Sequence, residues 1–319
     1  MPDHEVGVAE ICRWKGGRAG AFSVSGDDSL RSQILFAIPA MDQRGLAGTW
    51  WVNPGRGGSV NYKKQDDAWA ECWIALYDDW KAAAARGHDF GNHTLHHLGA
   101  ATVEEADYQV GETARIIWQT NPRQRLQLFL RGGGTSWGIS DEELARILVK
   151  YDCAPEGRGG GIECPTWECD PSAAEMIAHV DAAIQEGSWH YTAFHGIGPT
   201  AEWGGPVRGE AFIALLDTLA RRRDQVWTSP FTRLYKYQQE RNSARLDWLS
   251  IEKSALRGSL TCPLDPRLYD EPLTLRVSLP GGWERALLTQ GNHHETVPVI
   301  KGVATFDALP GGGDILLQA

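Results

Sequence analysis

Short apolar runs alternate with longer amphipathic segments through most of the chain. Runs such as Ala47–Asn53, Leu126–Arg131 and Trp189–His195 are rich in aromatic and branched residues, which predicts strands. The segments between such runs carry apolar residues at helical spacing. The predicted helices are Ser29–Arg44, Asp66–Arg86, Val103–Thr120, Ser140–Lys150, Ser172–Glu186, Arg208–Arg221 and Phe231–Ser243. This alternation predicts an α/β fold built on a parallel sheet, either closed as a barrel or open.

The pattern changes after the last predicted helix. Leu273, Leu275, Val277 and Leu279 alternate with polar residues, and Gly281-Gly282 then turns the chain. A period of two residues predicts half-buried strands rather than helices. We therefore expect two domains, an α/β domain over residues 1–246 and a small all-β, sandwich-like domain over residues 247–319.

Composition narrows the classes of function. The 319 residues carry a formal net charge of −10, which argues against a nucleic acid partner because such binding depends on basic surfaces. No apolar run is long enough to span a membrane. The first residues lack the features of a signal peptide, so we expect a cytoplasmic protein, or a secreted or periplasmic one if a signal has been removed. Reduced, buried cysteines are favoured over a Cys164–Cys169 disulfide.

Candidate chemistry gathers where predicted strands end. Asp27 and Asp28 follow one strand, and Gly91–His97 contains three histidines. If that stretch is helical, His93 and His97 lie on one face. Two imidazoles and one carboxylate leave an open position on a tetrahedral metal, which favours Zn²⁺ while also allowing Co²⁺, Ni²⁺ or Mn²⁺.

Two further strand ends carry polar groups. Arg131 precedes three glycines, Gly132–Gly134, whose backbone N–H groups can approach a ligand closely because no Cβ intervenes. His195 ends another strand. Because the carboxyl ends of parallel strands meet at one edge of the sheet, all four groups are expected to converge, and together they indicate a metallohydrolase.

These residues resemble motifs of the polysaccharide deacetylase family, the NodB-like carbohydrate esterases of family four, over roughly residues 10 to 240. Ser25–Ser29 is similar to the family motif Thr-Phe-Asp-Asp-Gly at both acids. His93–His97 matches His-Ser/Thr-x-x-His in full. The resemblance implies that Asp27 is the general base and that Asp28, with both histidines of the second motif, holds the metal.

The other motifs are matched less completely. The resemblance implies that Arg131 orients Asp27, that the N–H of Gly134 stabilises the oxyanion, and that His195, in Ala193–His195, is the general acid. The phenylalanine and glycine of the first motif and the prolines and tyrosine of the third are absent, so the pocket walls differ. For the fourth motif, which carries an Asp and a Trp, the candidates are Asp152, Trp167 and Asp170.

The resemblance also implies a fold and a reaction. The fold is an irregular (β/α) barrel, and the reaction is removal of N- or O-linked acetyl groups from an oligo- or polysaccharide, in which a metal-activated water attacks the acyl carbonyl. The chain contains 14 tryptophans, most of them expected in the core, and Trp137, Trp167 and Trp203 are the candidates for stacking on a sugar. Two alternatives stay open: hydrolysis of a small cyclic imide, ureide or other amide at the same site, and carbohydrate binding without catalysis.

Overall fold

The computed structural model describes residues 6–58, 60–65, 68–73, 77–156, 161–163, 170–198 and 207–319. The chain divides into two compact units. One is Gly20–Thr232, called here the α/β unit. The other, called here the β unit, comprises Arg233–Ala319 and the described residues of Met1–Ala19. Independently folding domains at 1–246 and 247–319 stay a prediction.

In chain order, the strands are β1 (Ala9–Ile11), β2 (Gly20–Asp27), β3 (Thr49–Val52), β4 (Val60–Gln65), β5 (Ala68–Trp73), β6 (Asp89–Asn92), β7 (Gln127–Phe129), β8 (Cys153–Pro155), β9 (Gly161–Glu163), β10 (Trp189–Phe194), β11 (Val226–Thr228), β12 (Arg245–Ile251), β13 (Ala255–Thr261), β14 (Leu273–Ser278), β15 (Arg285–Gln290), β16 (His293–Ile300), β17 (Val303–Ala308) and β18 (Asp314–Gln318). The helices are α1 (Ile38–Asp42), α2 (Tyr77–Ala85), α3 (Val103–Thr120), α4 (Asp141–Lys150), α5 (Ala173–Glu186), α6 (Gly209–Arg221) and α7 (Phe231–Ser243). No helix in the described ranges is long and apolar enough to cross a membrane.

A curled parallel sheet forms the centre of the α/β unit. Its strand order is β8-β7-β6-β3-β2-β10-β9, and β11 pairs with the start of β2. All eight residues of β2 are buried. The strand β10 pairs with one edge of β2, β11 and β3 share the other edge, and Phe22 and Val24 join the apolar core. This sheet, with its intervening helices, confirms the predicted (β/α) architecture.

Aromatic residues dominate the core under this sheet. Phe22, Trp50, Phe90 and Phe194 are all at most 1% exposed and belong to one apolar cluster. Full burial of each such side chain contributes about 1.5–3 kcal/mol, before the entropy of ordering is subtracted. These side chains come from β2, β3, β6 and β10, so one core supports the strands that carry the candidate site residues.

Side-chain caps fix the starts of three helices at the predicted positions. The Thr102 hydroxyl accepts a hydrogen bond from the N–H of Glu105, and α3 then covers the predicted range. Ser140 and Ser172 form complete capping boxes at the starts of α4 and α5. Each cap satisfies N–H groups that have no partner inside the helix.

Two predicted helices differ from the structure. The segment Ser29–Arg44 is not one α-helix, since Gln33–Ala37 is a π-helix that leads into α1. Pro39 supplies the reason: it has no N–H for the carbonyl four residues earlier, and the chain instead bonds Ile38 N–H to the Gln33 carbonyl, five residues back.

The second difference concerns the predicted helix Asp66–Arg86. Its first part contains the strand β5, which pairs with β4 as an antiparallel hairpin, and α2 covers only its last part. Trp69 and Trp73 fall at a spacing that suits a strand as well as a helix. Pairing with a neighbouring segment decided the outcome.

The β unit is an antiparallel sheet of eight strands in the order β1-β14-β17-β16-β15-β18-β13-β12. Most of β16 pairs with β15, whereas its last two residues, Val299 and Ile300, pair with β17. The predicted all-β character is confirmed. The contribution of β1, at the other end of the chain, was not predicted, since three residues carry too short a pattern to recognise.

Candidate metal and catalytic site

The end of β2 presents the two adjacent acids. Asp27 is the last residue of the strand, and the chain then turns through Asp28 and Ser29, with φ angles of 68° and 57°. Such left-handed conformations are unusual for residues other than glycine and cost on the order of 1 kcal/mol each. The Ser29 hydroxyl accepts a hydrogen bond from the N–H of Asn53, which secures the turn against the end of β3.

The histidine stretch is a loop after β6 and not a helix. Thr94 and His97 both have positive φ angles, 67° and 56°, and this excludes the helical spacing considered from sequence. The loop nevertheless brings the rings of His93 and His97 together, with centroids 5.0 Å apart. The two ligand candidates are therefore adjacent because of the loop conformation and not because of helical spacing.

Hydrogen bonds to the backbone hold this loop. The side-chain amide of Asn53 donates to the carbonyls of His93 and Thr94. The Thr94 hydroxyl accepts from the N–H of Leu98. Asn53 thus connects the turn after β2 with the loop after β6, and sequence reasoning gave it no role because its partners are backbone groups.

Three ligand atoms converge at these strand ends. The Nε2 atoms of His93 and His97 lie 3.5 Å and 3.2 Å from Oδ1 of Asp28, and the three donor atoms lie within 4.8 Å of one another. That Oδ1 is buried and, within the described part of the chain, accepts no hydrogen bond of good geometry. A buried carboxylate oxygen facing two imidazole nitrogens matches the mixed donor set that divalent cations such as Zn²⁺ take in proteins.

The orientation of His93 also fits a metal ligand. Its Nδ1 lies 2.9 Å from the Leu130 carbonyl, which is an acceptor for Nδ1–H, and its Nε2 faces Oδ1 of Asp28. Ligating histidines are commonly held in this way. The side chains of Asp28 and His93 are almost fully buried, whereas that of His97 is 20% exposed, which leaves the site open on the His97 side.

Electrostatics favour ionised Asp28 in this cluster. Burial alone raises the pKa of Asp28, but its interactions with His93, His97 and His195 outweigh burial and hold that pKa well below its usual range. Burial lowers the pKa of His97. For His93, burial also acts to lower the pKa, but the neighbouring Asp28 raises it on balance.

The proposed acid and base lie beside this cluster. His195 Nε2 is 3.7 Å from Oδ2 of Asp28, and both His195 and Asp27 are 8% exposed. The side chain of Gln33, which sequence reasoning did not single out, donates hydrogen bonds to the carbonyls of both residues. The sequence signal for a role of Gln33 is Gly26, which stands where the first family motif has phenylalanine and leaves room for the glutamine side chain.

Of the segment from Arg131 to Gly134, Gly132 lies against the cluster of ligand candidates. A Cβ built on Gly132 would lie 2.9 Å from Nε2 of His97, so this glycine packs directly against a ligand candidate. Gly134 has a φ of 69°, and none of the residues in the described ranges comes within 4 Å of the position that its Cβ would take. Arg131 pairs with Asp141 at 2.6 Å and lies over the Trp137 ring. Its predicted role beside Asp27 stays a prediction.

The remaining candidates are less closely tied to the cluster. Trp137 is partly buried, and its Nε1–H donates to the Thr135 hydroxyl. Asp152 precedes β8, at the opposite end of that strand from the site edge, and it pairs with Arg125. Asp170 pairs with Arg208. The candidates Trp167 and Trp203, and both cysteines of the possible disulfide, lie outside the described residues.

Comparison with known proteins gives distant similarities. No family model matches the chain. It is 21% identical over 333 aligned positions to a gellan lyase from a Bacillus species, which covers 93% of the chain but only 12% of that relative's length.

Similar solved structures include a deacetylase, an esterase of family 4 and a pseudoenzyme of the same family. The peptidoglycan deacetylase PdaC from Bacillus subtilis is 18% identical, with a TM-score of 0.45, over 70% of this chain and 93% of that one. A family 4 acetyl xylan esterase from Clostridium thermocellum, solved with cobalt, is 15% identical, with a TM-score of 0.42, over 67% and 90%. A family 4 pseudoenzyme from Bacillus anthracis is 12% identical, with a TM-score of 0.44, over 67% and 65%. The chain is thus similar, at low identity, to structures of the group that its motifs resemble.

Proposed function

We propose that the chain is a metal-dependent hydrolase that removes N- or O-linked acetyl groups from a carbohydrate. The observation that carries this proposal is the convergence of Asp28, His93 and His97 beside two further titratable groups, Asp27 and His195. A metal ligand set needs no acid and base at its side unless a reaction is catalysed there.

A divalent metal held by Asp28, His93 and His97 supplies, when bound, Lewis-acid activation of water and polarisation of the acyl carbonyl. Zn²⁺ is the favoured ion, and Co²⁺, Ni²⁺ and Mn²⁺ suit the same mixed donor set. The buried Oδ1 of Asp28 and the Leu130-bound ring of His93 support this assignment.

The chain's own residues move the protons. Asp27 accepts a proton from the attacking water, and His195 donates one to the departing amine or alkoxide. The N–H of Gly134 binds the developing oxyanion. Arg131 orients Asp27, which requires its guanidinium to turn away from Asp141; because both partners of that ion pair are largely exposed, breaking it costs less than about 1 kcal/mol.

The test combines metal analysis with acetate release. The substrate panel contains chitooligosaccharides, acetylated xylan and peptidoglycan, with gellan added because the chain aligns with part of a gellan lyase. Chelation should abolish acetate release, and Zn²⁺ or Co²⁺ should restore it. The D27N variant should lose activity by a factor of about 10² to 10⁴ with unchanged metal content. Full activity in the chelated protein would refute the proposal.

A second substrate class is supported by the altered pocket motifs. Three glycines stand where the family motif has prolines and tyrosine, so the wall around the acyl group differs. Hydrolysis of a small cyclic imide, ureide or other amide would use the same residues. Adding such compounds to the panel separates the two, and carbohydrate binding with no turnover of any substrate would favour a non-catalytic binding protein.

A further inference from the structure

Gln33 links the two strands that carry the proposed base and acid. It is the first residue of the π-helix, and its side chain is fully buried. Its Nε2 donates hydrogen bonds to the carbonyl of Asp27 at 2.6 Å and to the carbonyl of His195 at 3.1 Å. One amide group therefore spans the carboxyl ends of β2 and β10.

The Gln33 side chain lies just beyond the end of the backbone pairing between β2 and β10. The register of β2 with β10 ends at the pair Gly26 and Phe194. Asp27 and His195 are the next residue on each strand, beyond that ladder. The two hydrogen bonds donated by Gln33 connect the strands one residue beyond the ladder, at Asp27 and His195 themselves.

Gly26 provides the space for this amide. A Cβ at Gly26 would lie 2.7 Å from the Trp50 ring and 2.8 Å from Nε2 of Gln33, which is closer than real Cβ atoms come to other atoms. The motif that Ser25–Ser29 resembles has phenylalanine at this position. The loss of that side chain and the presence of Gln33 are therefore complementary features of this chain.

We propose that Gln33 is a positioning residue that sets the separation of Asp27 and His195. The inference rests on the proposed function, in which these two residues exchange protons with one tetrahedral centre. Proton transfer requires both groups within hydrogen-bond reach of that centre, so a small displacement of one strand end slows turnover more than it weakens substrate binding.

The test compares Q33M with a matched control, Q127M. Methionine keeps the length and burial of glutamine but cannot donate a hydrogen bond. Gln127 is also fully buried and donates to one backbone carbonyl, that of Ala114, but it lies at the start of β7, away from the site edge. Both variants lose a buried amide, so both melting temperatures should fall, and further in Q33M because Gln33 donates two hydrogen bonds where Gln127 donates one.

We expect Q33M to lower kcat by a factor of about 10 to 100 with KM changed less than threefold and metal content unchanged. Q127M should keep kcat within twofold. Ring NMR signals of His195, assigned with the variant H195Q, should shift in metal-free Q33M and not in Q127M. The Q33N variant, whose amide is about 1.5 Å too short to reach both carbonyls, should show the same changes if Q33M does not fold.

The outcomes separate this inference from the proposed function. Wild-type kcat in Q33M together with unshifted His195 signals would overturn the role of Gln33. A fall in kcat that accompanies metal loss would also overturn it, since Gln33 would then act on the metal ligands. Absence of turnover by the wild-type protein on every substrate would refute the proposed function, and the NMR comparison would still decide whether Gln33 positions His195.

Discussion

Replacing Gly132 by alanine provides the sharpest test of the metal site, because the same change at Gly133 is its internal control. A Cβ at Gly132 would lie 2.9 Å, 3.0 Å and 3.2 Å from three atoms of the His97 ring, including Nε2. A Cβ at Gly133 would meet no atom of the described residues within 4 Å, and neither glycine has a positive φ. Gly132 is buried and Gly133 is exposed, and only at Gly132 would the added methyl group press on the proposed ligand His97.

The size of the effect follows from these contacts. Ordinary van der Waals contact begins at 3.4 Å, so the ring of His97 must move by about half an ångström to accommodate the methyl group. Ligand distances tolerate about 0.2 Å. Displacement of a supporting contact typically weakens metal binding 10- to 100-fold, which corresponds to about 1.4 to 2.7 kcal/mol.

Competition of Zn²⁺ or Co²⁺ against a chromophoric chelator measures the dissociation constants. We expect G133A to bind as the wild-type protein does, and its free energy of unfolding should be unchanged or up to about 1 kcal/mol higher, because alanine restricts the unfolded chain. We expect the 10- to 100-fold loss in G132A alone. If G132A binds metal within twofold of G133A, His97 is not a ligand in the geometry described above.

Three further predictions concern the loops and the β unit. N53A removes the hydrogen bonds to the carbonyls of His93 and Thr94. We expect chemical denaturation to show a free energy of unfolding about 1–3 kcal/mol lower, and metal titration to show weaker binding. Loss of stability without loss of metal affinity would contradict the link between the two loops. Free Zn²⁺ at 100 times the wild-type dissociation constant should stabilise the wild-type protein against unfolding by about 2.7 kcal/mol. Equal stabilisation of the D28N variant at the same Zn²⁺ concentration would exclude Asp28 as a ligand. Burial, assisted by the nearby Glu271 and Asp270 carboxylates, raises the pKa of Glu240 to about 7. The free energy of unfolding should therefore fall as the pH rises from the unfolded pKa of about 4.3 through 7. E240Q should reduce the difference between denaturation curves at pH 5 and pH 8, and an unchanged difference would refute the assignment.

The sequence predicted best those helices whose starts are set by neighbouring residues in the chain. The start of α3 at Thr102 and the start of α4 at Ser140 depend on a cap and a glutamate three residues later, and both helices match their predicted ranges closely. The hairpin of β4 and β5 depends on pairing between two segments. No single window contains that information, so the alanine-rich helix that follows was extended too far toward the N-terminus.

The candidate site was predictable for a different reason. Parallel strands place their carboxyl ends together, so polar residues after β2, β6 and β10 had to approach one another once the fold was assumed. What escaped prediction were the groups that hold the site by binding backbone carbonyls, Gln33 and Asn53. Any glutamine or asparagine has that capacity, and only the folded chain shows which one uses it.

The left-handed turns have a consequence for protein engineering. Ser29 and Thr94 offset their backbone strain through hydroxyl groups that accept backbone N–H bonds, whereas the described partners of Asp28 and His97 are titratable side chains of the cluster itself. Glycine at either of those two positions would relieve strain while removing a proposed ligand. A screen that rewards only thermal stability or expression would therefore accept the loss of the metal site as an improvement, and any such campaign on this chain must retain a metal-binding readout.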